Sequence, residues 1–138
     1  MPLTIRDFEG DWRIEREIDD RTFHGTGMLQ GTASFTRNGE ALHYLESGIL
    51  RFATEPPMTT RRCYRWIKTE SGADVQFDDG RPFHSVDLSR TRPQASHDCP
   101  PDRYDVTYDF GQWPVWSLHW IVKGPRKDYS MTTWFRRG

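Results

Sequence analysis

The sequence predicts an all-β fold: a single up-and-down antiparallel β-barrel of about 8–10 strands, opened by a short N-terminal helical turn. Three observations carry this. Nearly every patterned segment alternates apolar and polar residues with a period of two, and Gly, Pro, Asn and Asp clusters interrupt the pattern at hairpin spacing. No stretch sustains the three-to-four spacing of a long helix. Although only 35% of the residues are hydrophobic, 14% are aromatic and six are Trp, so a few positions bury large areas. At 138 residues the chain reads as one domain, 1–138, large enough for its own core.

"PLTIRDFEG" is the one segment suited to a helical turn. The first strand, "DWRIEREI", turns Trp12, Ile14, Arg16 and Ile18 to one side. "TGMLQGTASF" turns Leu29, Ala33 and Phe35 to one side, with Gly27 and Gly31 where a barrel strand bends. "RNGE" reads as an Asn-Gly hairpin turn, since both central positions tolerate positive φ. "ALHYLESGILRF" groups Leu42, Tyr44, Glu46, Leu50 and Phe52. "RRCYRWIK" groups Tyr64 and Trp66, and "ADVQF" groups Val75 and Phe77 before the turn "DDGR". "FHSVDL" groups His84, Val86 and Leu88, and "RYDVTYDF" groups Tyr104, Val106, Tyr108 and Phe110. "VWSLHWIV" groups Trp116, Leu118, Trp120 and Val122. After "GPRKD", "DYSMTTWF" groups Tyr129, Met131, Thr133 and Phe135. These make about nine strands in a meander. "ATEPPMTT" and "SRTRPQASHDCPPD" carry prolines and read as rim loops. Closure into a barrel removes the sheet edges; a two-sheet sandwich is the competing arrangement.

Charge narrows the function classes. A net charge of −1 gives no global field toward nucleic acid or anionic membrane. No apolar run approaches the ~20 residues of a membrane-spanning helix, and "MPLTIRDFEGDW" lacks the basic and then apolar regions of a secretory signal. Cys63 and Cys99 are therefore expected as reduced thiols of a cytoplasmic protein. "RRCYRWIK" interleaves basic and aromatic residues, as a nucleic-acid surface would. Its alternation sends Tyr64 and Trp66 inward, so neither nucleic acid nor membrane is an expected partner. "DDGR" and "KGPRKD" are ordinary hairpin turns and not phosphate loops.

"FEGDW", with Gly10, Asp11 and Trp12, resembles the lipocalin opening, a short helical turn followed by Gly-x-Trp at the first strand. That resemblance implies an Arg on the last strand packed over the Trp, and Arg136 or Arg137 of "WFRRG" stands at the matching end. Across residues 10–129 the strings "GDWRIERxI", "FDDGRPFH", "HDCPPDRYDVTY" and "VKGPRKDY" resemble an uncharacterised bacterial lipocalin-like family, domain of unknown function 6314. The resemblance implies a calycin-type barrel and brings no activity with it. The disulfides and signal peptide of secreted lipocalins are missing, which argues against an extracellular carrier.

Small barrels of this kind can hold one ligand among their inward side chains. Here the inward set is partly polar: Arg16, Glu46 and His84 join it, and Tyr104, Tyr108 and Tyr129 add hydroxyls. An interior charge is costly unless paired or wet, which leaves three readings open. Arg16 and Glu46 form a pair that satisfies only itself, or Arg16, His84 and the tyrosines orient a ligand, or a one-residue slip turns the charges outward. The expected ligand-binding set is Arg16, Tyr44, Glu46, Trp66, His84, His97, Tyr104, Trp120 and Tyr129, with Trp12 as a further wall.

"HDCPPDRY" concentrates His97, Cys99, Asp102 and Tyr104 in eight positions. With His84 it offers nitrogen, sulfur and oxygen metal ligands, but not the paired spacing of a structural zinc site. Cys99 beside His97 has the chemistry of an activated nucleophile without a recognisable oxyanion loop. The simplest reading is a loop stiffened by Pro100 and Pro101, with Asp102 bonding local backbone amides and Tyr104 starting the next strand. No residue is assigned as a metal ligand.

The expected function is non-covalent binding of a small molecule with an apolar body and a polar or anionic group. One alternative is an enzyme using the same pocket with His84 or His97 as acid–base. Others are a haem-binding barrel with one of His24, His43, His84, His97 and His119 as ligand, and a homodimeric module. The homodimer would use the outer face of "VWSLHWIV", where Val115 and Ile121 lie opposite Trp116 and Trp120. The sequence assigns no cofactor, no catalytic residue and no particular ligand.

Overall fold

Side-chain alternation is realised in ten antiparallel strands. The computed structural model describes residues 2–138. The strands are β1 (Gly10–Asp20), β2 (Gly25–Asn38), β3 (Ala41–Phe52), β4 (Met58–Lys68), β5 (Gly72–Phe77), β6 (Pro82–Asp87), β7 (Gln94–Cys99), β8 (Asp102–Gln112), β9 (Val115–Lys123) and β10 (Asp128–Arg137). β1 pairs with both β2 and β10, and the ladder runs in the order β6-β5-β4-β3-β2-β1-β10-β9-β8-β7. The sheet curls into a nearly closed barrel. Its two end strands, β6 and β7, face each other across a seam with no ladder between them among the described residues.

A 3₁₀ turn, Ile5–Phe8, enters at one end of the barrel, the base. Asp7 closes this turn by accepting the Thr4 backbone N–H at 2.7 Å. Phe8 is wholly buried against the rings of Phe35, Trp66, Phe110, Trp113 and Trp116. The Trp12 indole N–H donates to the Phe8 carbonyl at 2.8 Å. Of the two candidate arginines, Arg137 covers Trp12: its guanidinium carbon lies 3.8 Å from the ring centroid. The same guanidinium donates to the carbonyls of Glu9 and Asp7 at 2.9 and 2.6 Å. A cation over an indole face, with its N–H groups spent on carbonyls, ties the last strand to the entering turn.

Four sequence expectations change. The segment read as a rim loop holds β7, and "HDCPPDRY" is a tight hairpin in which Cys99 faces Asp102 around Pro100 and Pro101. Asp102 does not bond local amides; its carboxylate lies 3.1 Å from Lys127 Nζ in the neighbouring β9–β10 turn. In "RNGE" the two turn residues are Gly39 and Glu40, because Asn38 pairs with Ala41. Only Gly39 has a positive φ, +64°, as a hairpin turn with Gly at its first central position requires. Lastly, Gly31 faces Gly48 across β2 and β3, and a Cβ on Gly31 would drive into the Ser47 carbonyl. Close backbone approach explains that glycine better than a bend alone.

Candidate functional site

Inside the barrel, above the aromatic base, lies a partly open cavity of about 40 Å³. That is room for a few water molecules. Of the nine residues expected at a ligand site, Arg16, Tyr44, Glu46, Trp66, His84 and Trp120 line it. Tyr104, Tyr129 and His97 do not. Tyr104 and Tyr129 lie at the mouth end of their strands, beside the β9–β10 turn and Val122. His97 is on the edge strand β7 and packs against Phe83 and Phe77. The proposed wall residue Trp12 belongs to the base, against Trp113, Trp116 and Arg137.

Register settles the interior charges. Arg16 and Glu46 both point inward and are 5% and 1% exposed. The Arg16 guanidinium donates to both Glu46 oxygens at 2.9 and 2.7 Å and, through Nε, to Thr133 Oγ1 at 2.7 Å. Tyr44 donates its hydroxyl to Glu46 Oε1 at 2.7 Å. Burial alone would raise the Glu46 carboxyl, but the Arg16 hydrogen bonds and charge outweigh it and hold the group below its ordinary value. The guanidinium, which burial would lower, is held above its ordinary value by the same partner. Arg16 is thus neutralised in place.

A second cation, at the open side of the cavity, is not. Arg62 shares its strand face with Tyr64 and Trp66, lies opposite Glu46 in the β3–β4 ladder, and borders the cavity while itself exposed to solvent. Its charge helps lower the Glu46 carboxyl and reaches the Tyr129 hydroxyl. Among the described residues it has no ion pair or side-chain hydrogen bond. Lys127, the other cation near the mouth, is held: its Nζ donates to Tyr104 Oη at 2.8 Å and pairs with Asp102. These two bonds raise its pKa above the ordinary lysine value.

His84 is half-buried, in surroundings that favour its neutral form. Desolvation, with a smaller contribution from nearby His97, lowers its pKa to about 4. Its Nε2 lies 2.7 Å from the Tyr108 hydroxyl, while Nδ1 is buried without a partner. Trp116 Nε1 is likewise buried and unpartnered, and both residues line the cavity. Buried polar atoms of this kind call for water or a ligand group. His84 and His97 do not bond each other; each packs edge-on against Phe83, at 4.7 and 5.2 Å.

Phe83 is the wall residue the sequence hides. A bulge breaks the register between β5 and β6, where Val75 faces His84 but Gln76 faces Pro82. The extra residue, Phe83, therefore enters the interior beside His84. Its ring stacks on Trp120 at 5.1 Å and on Phe77 at 4.4 Å. Tyr64, Tyr108, Leu118 and Phe135 complete much of the wall. Arg62, by contrast, was legible from the alternation that places Tyr64 and Trp66 inside.

The remaining expectations can be placed. His24 and His43 lie near exposed carboxylates, and His119 bonds Thr132 on the outer side of β9. The outer face of β9 offers Ile121, 40% exposed, between Asp105 and Ser130. A lone apolar residue in polar surroundings is ordinary surface. No helix among the described residues is long and apolar enough to cross a membrane.

The family model described as "Family of unknown function (DUF6314)" matches residues 8–137. No curated protein matches the chain. Among solved structures, it is similar to the S-type phycobiliprotein lyase of Guillardia theta at 8% identity and a TM-score of 0.65. That match covers 99% of this chain and 93% of the lyase. At that identity the likeness is one of fold.

Proposed function

We propose a function for a chain that belongs to the DUF6314 family, a family of unknown function: its barrel binds a small molecule with an apolar body and an anionic group. One observation carries the reading. Arg62 is a solvent-exposed cation with no partner among the described residues at the open side of an aromatic-lined cavity, while the buried Arg16 is already neutralised by Glu46. The apolar body would lie among Trp66, Phe83 and Trp120, replacing water near His84 Nδ1 and Trp116 Nε1. The anionic group would take charge-assisted hydrogen bonds from Arg62. Arg16 and Glu46 serve as a fixed polar wall and not as the ligand's counter-charge.

The small cavity favours a compact ligand, or one whose bulk stays at the mouth. A haem or another macrocycle does not fit 40 Å³ without moving the walls. The phycobiliprotein lyase likeness supports a binding barrel at the level of fold and does not transfer that protein's own activity. Acid–base work by His84 is disfavoured, because a base with a pKa of about 4 removes protons weakly near neutrality. A cytoplasmic setting, with Cys63 and Cys99 as thiols, suits the free state of both cysteines.

The test is a two-dimensional NMR titration with benzoate and with its neutral analogue benzamide. Benzoate should perturb amides around Arg62, Phe83 and Trp120, and benzamide should bind at least about tenfold more weakly, the scale of one charged hydrogen bond. Arg62→Gln should abolish that difference. Shifts confined to the outer surface, or a benzoate preference that survives Arg62→Gln, would overturn the reading.

A further inference from the structure

A separate cluster sits on the outside of the barrel. Because Tyr44 and Glu46 face inward from β3, His43 and Leu45 face out; because Tyr64 and Trp66 face inward from β4, Cys63 faces out. Leu45 faces Cys63 across one ladder and Tyr64 faces Phe77 across the next, so Asp78, just beyond β5, comes alongside Cys63. One donor atom each from His43, Cys63 and Asp78 lies within 4.8 Å of the other two. His43 Nε2 and Asp78 Oδ1 are 3.4 Å apart, too far for a strong hydrogen bond. None of the three side chains makes a side-chain hydrogen bond among the described residues, so the donors converge without satisfying one another.

We propose that His43, Cys63 and Asp78 bind one zinc-class divalent cation, with water at the fourth position. An imidazole nitrogen, a thiolate and a carboxylate with one solvent position is a donor set that zinc accepts, and calcium or magnesium would require oxygen ligands throughout. Tetrahedral bonds of about 2.0–2.3 Å place neighbouring ligand atoms roughly 3.3–3.8 Å apart. The approach from 4.8 Å falls to the His43 and Asp78 side chains, which are 41% and 64% exposed and free to turn. Cys63 is half-buried on a paired strand and anchors the site. The same three residue types could form a nucleophile–base–acid relay, but a relay sets its acid and nucleophile on opposite sides of the imidazole. Mutual convergence of three donors is the arrangement of a cation site.

The site lies outside the cavity, and its existence does not depend on the small-molecule reading. It does touch the same hairpin. Asp78 follows Phe77, whose ring stacks on the cavity-wall residue Phe83 at 4.4 Å. A bound cation would therefore fasten the β5–β6 turn to β3 and β4, behind that wall. The thiol loses its proton on binding, so affinity rises with pH.

Cobalt(II), added to reduced, chelator-treated protein, stands in for zinc and reports thiolate ligation by a near-ultraviolet sulfur-to-cobalt charge-transfer band. The band should saturate at one equivalent and collapse when zinc is added. Cys63→Ser should lose it, and Cys99→Ser should keep it. His43→Ala and Asp78→Asn should each weaken cobalt binding more than about tenfold, since even outer partners of metal ligands contribute that much. Asp78→Asn is an exposed turn substitution that leaves the core intact, so its effect does not depend on how Cys63→Ser folds. No band in the parent protein, a band that survives Cys63→Ser, or unchanged affinity in Asp78→Asn would overturn the proposal.

Discussion

Arg16 and Glu46 meet in the barrel interior through two parallel hydrogen bonds of 2.9 and 2.7 Å, joining β1 to a strand two places away in the sheet. Removing one partner leaves the other buried and charged, which typically costs about 3–5 kcal/mol. Arg16→Met should therefore lower the urea midpoint far more than Arg16→Met combined with Glu46→Leu, Tyr44→Phe and Thr133→Val, which removes every polar partner of the pair together. Equal losses in the two proteins would show that the pair is not what holds this layer together.

Acid should weaken the fold in two steps. His84 has a folded pKa of about 4 against an ordinary value of 6.5. Between those values the unfolded chain holds a proton the folded chain lacks, so stability falls as pH drops, by roughly 3 kcal/mol in all. Glu46 is shifted downward in the folded state, so its contribution is present above the ordinary carboxylate pKa. It is lost as pH falls through the lower folded value. His84→Phe should flatten the stability curve between pH 6.5 and 4.5 and leave the lower limb in place. A curve unchanged by that substitution would contradict a neutral, desolvated His84.

Gly31→Ala tests the closest approach in the sheet. Its methyl group would meet the Ser47 carbonyl, a backbone atom that cannot swing aside. A loss of about 2 kcal/mol or more is expected in chemical denaturation, well beyond the roughly 0.5–1 kcal/mol that Ala gains over Gly elsewhere. Gly25→Ala is a useful contrast: its φ is +70° but no atom lies within 4 Å of the added carbon, so its cost is conformational only.

Arg137→Lys should lose part of the base closure although it keeps the charge. One guanidinium covers Trp12 and donates to two carbonyls at once, which a lysine ammonium does in neither geometry. A destabilisation of about 1 kcal/mol, with a blue or red shift in Trp fluorescence, is the expected result. Arg136→Lys, on the adjacent residue, should be silent.

Much of the barrel was legible because period-two alternation survives in eight long or strongly apolar strands and because Gly10, Trp12 and Arg137 mark its closed end. The same alternation placed Arg16, Tyr44, Glu46, Trp66 and Trp120 inside. It failed where tertiary structure breaks the period. Strand β7, "QASHDC", carries one small apolar side chain, Ala95, that faces inward, so nothing local marks it as a strand. Parity with His84, Val86 and Leu88 would turn Phe83 outward, because alternation cannot foresee a bulge. Tyr104 and Tyr129 have the expected strand positions, but alternation gives a residue's face and not its height along the barrel; His97, expected in a loop, lies on β7. The His43–Cys63–Asp78 cluster spans three elements at wide spacing, so only the register brings it together.

The seam between β6 and β7 has a consequence for what the molecule can accommodate. Elsewhere around the wall, widening the barrel means breaking a backbone ladder; here the wall is closed by Phe83, Phe77 and His97 touching ring to ring. Separating rings forfeits contact area but strands no buried amide. Any guest larger than the cavity would therefore be accommodated most cheaply at this one joint, by parting those three rings.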